Sequence, residues 1–124
     1  IVGPDLPSRN KNEVQTMDFK TAGQLEKAGV TVAVTTDHPV SLIQSLPLCC
    51  ALAVKEGLSA EGGLRALTIN AARICGMDHM VGSIRTGKVA DLVLFRGHPF
   101  ETFSKVLFTM IDGEIVYRDR EMYL

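Results

Sequence analysis

Asp37 follows directly on a β-branched run (Val30, Thr31, Val32, Ala33, Val34, Thr35, Thr36) and precedes His38 and Pro39. Such a run, lacking strict polar alternation, suits a parallel strand buried on both faces. In a parallel α/β barrel the C-terminal strand ends form the active-site face. A carboxylate placed there can bind a divalent metal or take a proton from a metal-activated water. Asp37 could instead cap the next helix, with Pro39 in its first turn, and spacing alone favours that cap. His38 could line the same mouth or simply turn the chain, and spacing favours the turn.

Other candidates carry less chemistry. His79 and His98 fall in loop-like segments with no second ligand at i+2 or i+4, so neither reads as a metal site. Residues 82–88, GSIRTGK, match the beginning of a phosphate-binding loop. Val89, however, stands where a Ser or Thr must hold magnesium, and residues 90–95 read as a strand. A phosphate loop needs a helix N-terminus there, because aligned N–H groups hold the anion. The two glycines therefore read as turn residues.

The elements that must position these groups come in two textures. Residues 1–6 look like the end of a strand, running into a polar loop over 7–15. Asp18 can cap a short helix in which Phe19, Ala22 and Leu25 share a face, with Gly29 as its stop. After the 30–36 strand, a helix is expected from about 41 to 56, kinked or split near Leu46 by Pro47. The next helix begins at Ser59, buries Ala60, Leu64, Leu67, Ala71 and Ile74, and ends at Gly76. Beyond Gly82 the pattern becomes antiparallel β. Residues 90–95 form one strand, and 105–111 with 114–117 flank Asp112-Gly113, a strong hairpin signal.

Composition narrows the partners. The net charge is −1, which gives no footprint for nucleic acid or an anionic membrane. No apolar run approaches the ~18 residues of a membrane span, and no signal peptide is visible. The mean hydropathy of +0.16 is high for a small independent domain and natural for a piece covered by more protein. Ile1 in place of Met points the same way, to a truncated larger protein. Ile1-Val2-Gly3 is similar to the new N-terminus of an activated trypsin-like protease, but no Gly-Asp-Ser-Gly segment follows. Cys49, Cys50 and Cys75 form no Cys-x-x-Cys pair, and adjacent cysteines rarely suit a disulfide. All three are expected to be small buried hydrophobes in a reducing, cytoplasmic setting.

Taken together, several segments resemble the C-terminal third of the amidohydrolase superfamily, in its imidazolonepropionase-related branch. They are residues 29–40 (GVTVAVTTDHPV), 66–73 (ALTINAAR), 82–84 (GSI), 87–93 (GKVADLV) and the hairpin around Asp112-Gly113. The order and spacing of these pieces carry the resemblance, which runs from Val2 to about Tyr117.

The resemblance implies an α/β fold: the last βα units of a TIM-type (β/α)8 barrel, followed by part of a small antiparallel β domain. Residues 1–76 would supply the barrel units and exit helix, and 77–124 the C-terminal portion of the small domain. It also reverses the balance at Asp37, which takes the place of the Asp ending the eighth barrel strand. That family residue binds the metal, or orients and deprotonates the water that cleaves a non-peptide C–N bond in a small molecule such as a cyclic amide or amidine. The cofactor implied is a divalent metal, zinc first. The family's His-x-His pair and its middle-strand ligands have no counterpart here, so this chain alone is expected to be inactive and to hold no metal stably. His38 and the loop residues Arg9, Lys11 and Glu13 are candidates for the substrate's vicinity, with a solvated loop the favoured state for the last three. Asn70 is expected to fix a turn or cap, and Asp91 to tie the strand start to the glycine turn. Open sheet edges invite self-association into a homo-oligomer, which leaves a non-catalytic, self-associating module as the alternative function.

Overall fold

Val32, Ala33 and Val34 run through the packed region with all three side chains buried. The computed structural model describes residues 1–4 and 18–120 of the chain. Val34 pairs in parallel with Val2, through Val2 N–H to Ala33 O and Thr35 N–H to Val2 O, both 2.8 Å. Of the β-branched run expected to be a strand buried on both faces, only Val34 is bridged in parallel, no strand forms over 30–36, and Val30 and Thr31 at its start are exposed. The pairing is one bridge rather than a full ladder.

Helix α1 (Lys20–Lys27) starts where Asp18 Oδ1 accepts the Lys20 N–H at 3.2 Å. It stops at Gly29, whose φ of 78° accompanies bonds from Gly29 N–H to Glu26 O and from Val30 N–H to Leu25 O. Those are the two reversed bonds of a left-handed C-cap, a conformation glycine adopts without a Cβ clash. The helix expected from residue 41 is split. A single 3₁₀ turn, Ile43–Ser45, precedes α2 (Leu46–Lys55), with Pro47 in its first turn. Pro lacks the N–H that a helix interior needs, and at the start none is required.

The helix expected from Ser59 to Ile74 is two helices, α3 (Ala60–Leu67) and α4 (Ile69–Ile74), broken at Thr68 with φ −126° and ψ −100°. The buried face also differs from the expected leucine stripe. It consists of Gly62, Gly63 and Ala66 on α3 and Ala72 on α4, while Leu64 and Ile74 are partly exposed. Close approach explains this. A Cβ on Gly63 would lie 2.8 Å from both Phe100 and Val54 side-chain atoms. Small residues let α3 sit directly on α2, where Cys50 Sγ donates to Gly63 O at 3.3 Å. The resulting core joins Ala22, Val32, Val34, Cys49, Cys50, Ala53, Leu58 and Ala66. Cys75 corrects the cysteine expectation: it is exposed, because it falls on the residue that ends α4.

The antiparallel part is a three-stranded sheet in the order β1 (Leu92–Arg96), β2 (Lys105–Ile111), β3 (Glu114–Arg118). The hairpin forms at Asp112-Gly113, whose φ values of 49° and 82° suit the two-residue turn this dipeptide favours. Asp91 does tie a strand start to a turn, but to this one: its Oδ1 accepts the Asp112 N–H at 2.8 Å. Val93, Leu94, Ile115 and Val116 remain largely exposed, so the sheet presents an apolar surface.

Candidate active site

The chain turns sharply at Asp37, as it leaves the C-terminal end of the parallel-paired segment. Asp37 has φ 50°, a left-handed conformation that Asp tolerates better than most non-glycine residues. Its N–H donates to Thr35 Oγ1 at 3.1 Å. Its carbonyl accepts the Val40 N–H at 2.8 Å, and Thr36 O accepts the Ser41 N–H at 3.2 Å. Thr36 and Ser41 are buried, whereas Asp37, His38 and Pro39 face outward.

This geometry excludes one of the two local readings of Asp37, the helix cap. The next helical turn begins at Ile43, preceded by Leu42 with no side-chain cap, so Asp37 does not cap it. The Asp37 side chain makes no hydrogen bond or ion pair among the described residues, leaving both oxygens available. His38 lies in the same turn. Arg9, Lys11 and Glu13 fall outside the described residues. Thr35 is a further residue of this site, and its signal in the sequence is slight: a hydroxyl two positions before Asp37, able to bond local backbone.

Metal binding can be tested against the donor set. An exposed, unpaired carboxylate in this turn fits as one ligand. Among the described residues no group of three or more His, Cys, Asp or Glu side chains lies close enough to hold an ion. A catalytic zinc site takes about three protein ligands, so Asp37 could be one of them, with the others outside this set.

The remaining candidates resolve as structure. Lys88 Nζ donates to Asp78 O, to Val81 O at 3.1 Å and to Ser83 Oγ at 2.7 Å. Its ammonium is spent closing its own loop, and a strand follows, so GSIRTGK cradles no phosphate. His98 Nδ1 accepts the Phe100 N–H at 3.3 Å and its ring stacks edge-on to Phe100. His79 lines a polar cavity of about 440 Å³ together with Arg65, Arg73 and Arg85. A larger apolar cavity of about 560 Å³ lies between Leu64 and Leu67 of α3 and Leu92 and Phe95 of β1. Asp37 lines neither cavity. No helix among the described residues is long and apolar enough to cross a membrane.

Residues 8–116 match the amidohydrolase family. The chain belongs to that family. It is 36% identical over 115 residues to an imidazolonepropionase of Geobacillus kaustophilus, covering 83% of this chain and 26% of that protein. An adenine deaminase of Clostridium botulinum is 36% identical over 84 residues, 66% of this chain and 14% of the relative. In structure, an amidohydrolase from Thermotoga maritima superposes with a TM-score of 0.90 at 40% identity, over 96% of this chain and 31% of that one. The chain therefore spans about a quarter of the length of the imidazolonepropionase it matches.

Proposed function

We propose that this chain is the C-terminal part of a metal-dependent amidohydrolase that hydrolyses a non-peptide C–N bond in a small cyclic substrate. In that reading residues 1–76 supply the last βα units of a (β/α)8 barrel and its exit helix. Residues 77–124 supply part of a small β domain. The observation that carries the proposal is Asp37, exposed and unpaired at the C-terminal end of a segment bridged in parallel to Val2. That is the place where barrel enzymes keep their chemistry.

A divalent cation, zinc first, would supply Lewis acidity and lower the pKa of water. Asp37 would contribute one of its ligands or act beside it. Its carboxylate accepts a proton from the attacking water as the oxygen bonds to the ring carbon. The same proton then passes to the leaving nitrogen as the C–N bond breaks, so the carboxylate returns to its starting state. The left-handed turn holds that carboxylate outward from the strand end. His38, Arg9, Lys11 and Glu13 are assigned to the substrate's vicinity. The imidazolonepropionase relatives make an imidazolone ring the first substrate to try, and the deaminase relatives make a purine amidine the second. Free cysteines fit a reducing, cytoplasmic setting, and the exposed apolar sheet is assigned to contact with the rest of the protein or a second copy.

In the full-length protein, Asp37→Asn keeps size and geometry but removes the proton acceptor. Turnover of imidazolonepropionate should fall by on the order of 10³-fold or more, with folding largely intact. Undiminished turnover in this variant would overturn the reading.

A further inference from the structure

We infer that Thr35 is a positioning residue for Asp37 and that Gly3, on the neighbouring extended segment, holds Thr35 in place; this rests on the catalytic reading of Asp37. Asp37 must keep a left-handed backbone to project its carboxylate outward. A non-glycine residue stays in that region only when its surroundings over-determine it. Thr35 provides the restraint. Its hydroxyl oxygen takes the Asp37 N–H at 3.1 Å, and this bond bears directly on the peptide group whose φ is 50°.

Thr35 is itself fixed from the other side. Its backbone N–H bonds Val2 O at 2.8 Å. A Cβ built on Gly3 would lie 2.1 Å from Thr35 O and 3.3 Å from Thr35 Cγ2. The Thr35 carbonyl oxygen, with the methyl beside it, thus occupies the space that any side chain at position 3 would need. A β-branched residue has few χ1 choices. With its methyl over Gly3, the hydroxyl is left facing the Asp37 N–H. Gly3, at φ 123°, is tolerant of that contact where a residue with a Cβ is not. The chain of contacts runs from the adjacent strand, through one threonine, to the carboxylate.

The test uses the full-length protein with two readouts: hydrolysis of imidazolonepropionate, and the rate at which bound zinc is lost to a chromophoric chelator. Thr35→Val keeps the shape and removes the acceptor. It should lower kcat per zinc-loaded site by on the order of tenfold, with KM within about twofold, and speed zinc loss. Thr35→Ser restores the acceptor and should return both readouts to within about threefold of the parent. A merely structural threonine would lower the melting temperature without this split or this rescue. Gly3→Ala is the second variant, expected to lower kcat and speed zinc loss in the same direction even if Thr35→Val fails to fold. Wild-type behaviour of Thr35→Val or Gly3→Ala in both readouts, beside an inactive Asp37→Asn, overturns the inference. Full activity of Asp37→Asn would instead remove the catalytic reading beneath it. If imidazolonepropionate is not turned over, the zinc-loss comparison decides alone.

Discussion

The Glu26 carboxylate and Ser59 meet through two hydrogen bonds, one from the Ser59 N–H at 2.8 Å and one from its hydroxyl at 2.7 Å. Ser59 in turn accepts the Gly62 N–H at 2.8 Å, capping α3. One carboxylate on α1 therefore fixes the first turn of a helix more than thirty residues away in sequence. Its backbone bond from Ser59, then the hydroxyl bond, hold the Glu26 carboxyl below its ordinary pKa of 4.5. Glu26→Gln should cost about 1 kcal/mol of stability near neutral pH, read by chemical denaturation of the full-length protein. Because the folded pKa lies below the unfolded one, this contribution is present above the unfolded value. It disappears as pH falls through the lowered folded value. The gap between parent and variant should close in acid, and a constant gap would contradict the assignment.

Lys88 supports a second expectation. Its ammonium satisfies two backbone carbonyls and the Ser83 hydroxyl in the loop before β1. Lys88→Met keeps the length of the side chain and removes all three bonds, leaving part-buried acceptors without a partner. A loss of roughly 2–3 kcal/mol follows, measured by thermal or denaturant unfolding. ATP should stabilise neither parent nor variant. A thermal shift with ATP that is lost in Lys88→Met would restore the phosphate-loop reading of GSIRTGK.

Local chemistry was the legible part of this sequence. The Asp112-Gly113 hairpin, the Ser59 cap, the Gly29 stop and the split at Pro47 each depend on a few adjacent residues with one favourable backbone solution. What escaped depends on contacts across the chain. The buried Gly62–Gly63 face follows from how closely Gly63 approaches Val54 and Phe100 and Gly62 approaches Glu26, which helical periodicity does not contain; the break at Thr68 is likewise not written in that periodicity. Cys75 looked like Cys49 and Cys50 by residue type, yet it ends a helix at the surface. At the candidate site, spacing alone favoured a helix cap for Asp37, and the family resemblance singled it out as a site residue. Thr35 was not legible, because its neighbour Gly3 lies on a segment remote in sequence. Arg9, Lys11 and Glu13 lie outside the described residues, so their assignment rests on the sequence.

The cysteines should separate by reactivity. Cys50 is fully buried, and burial, helped by the neighbouring Cys49, pushes its thiol up from 9.0 to about 12. At about pH 8 only a trace would be thiolate, the reactive form. Alkylation of the native protein followed by peptide mapping should leave Cys49 and Cys50 unmodified while Cys75, exposed, is labelled. The folded state holds the Cys50 proton more tightly than the unfolded state does, so stability should also decline as pH rises from about 9 towards 12. Rapid native labelling of Cys50 would show that the α2–α3 contact opens readily.

Asn70 offers the sharpest check on how the helical region is joined to the strand that carries Asp37. Its Nδ2 donates to Val32 O at 3.0 Å, so the first turn of α4 is tied directly to the buried extended segment. The bond is directional: the carbonyl can only accept, and the amide nitrogen is the donor. Asn70→Ala removes the donor and should cost about 1–2 kcal/mol, because the Val32 carbonyl loses its side-chain partner. Asn70→Asp is nearly the same size but brings a carboxylate against a carbonyl oxygen, so it should be the more damaging of the two above pH ~5. Its deficit should shrink in mild acid, where a protonated carboxyl can donate again. Equal losses in the two variants at neutral pH would mean that Asn70 acts by filling space. That outcome would remove the link between α4 and the strand leading to Asp37.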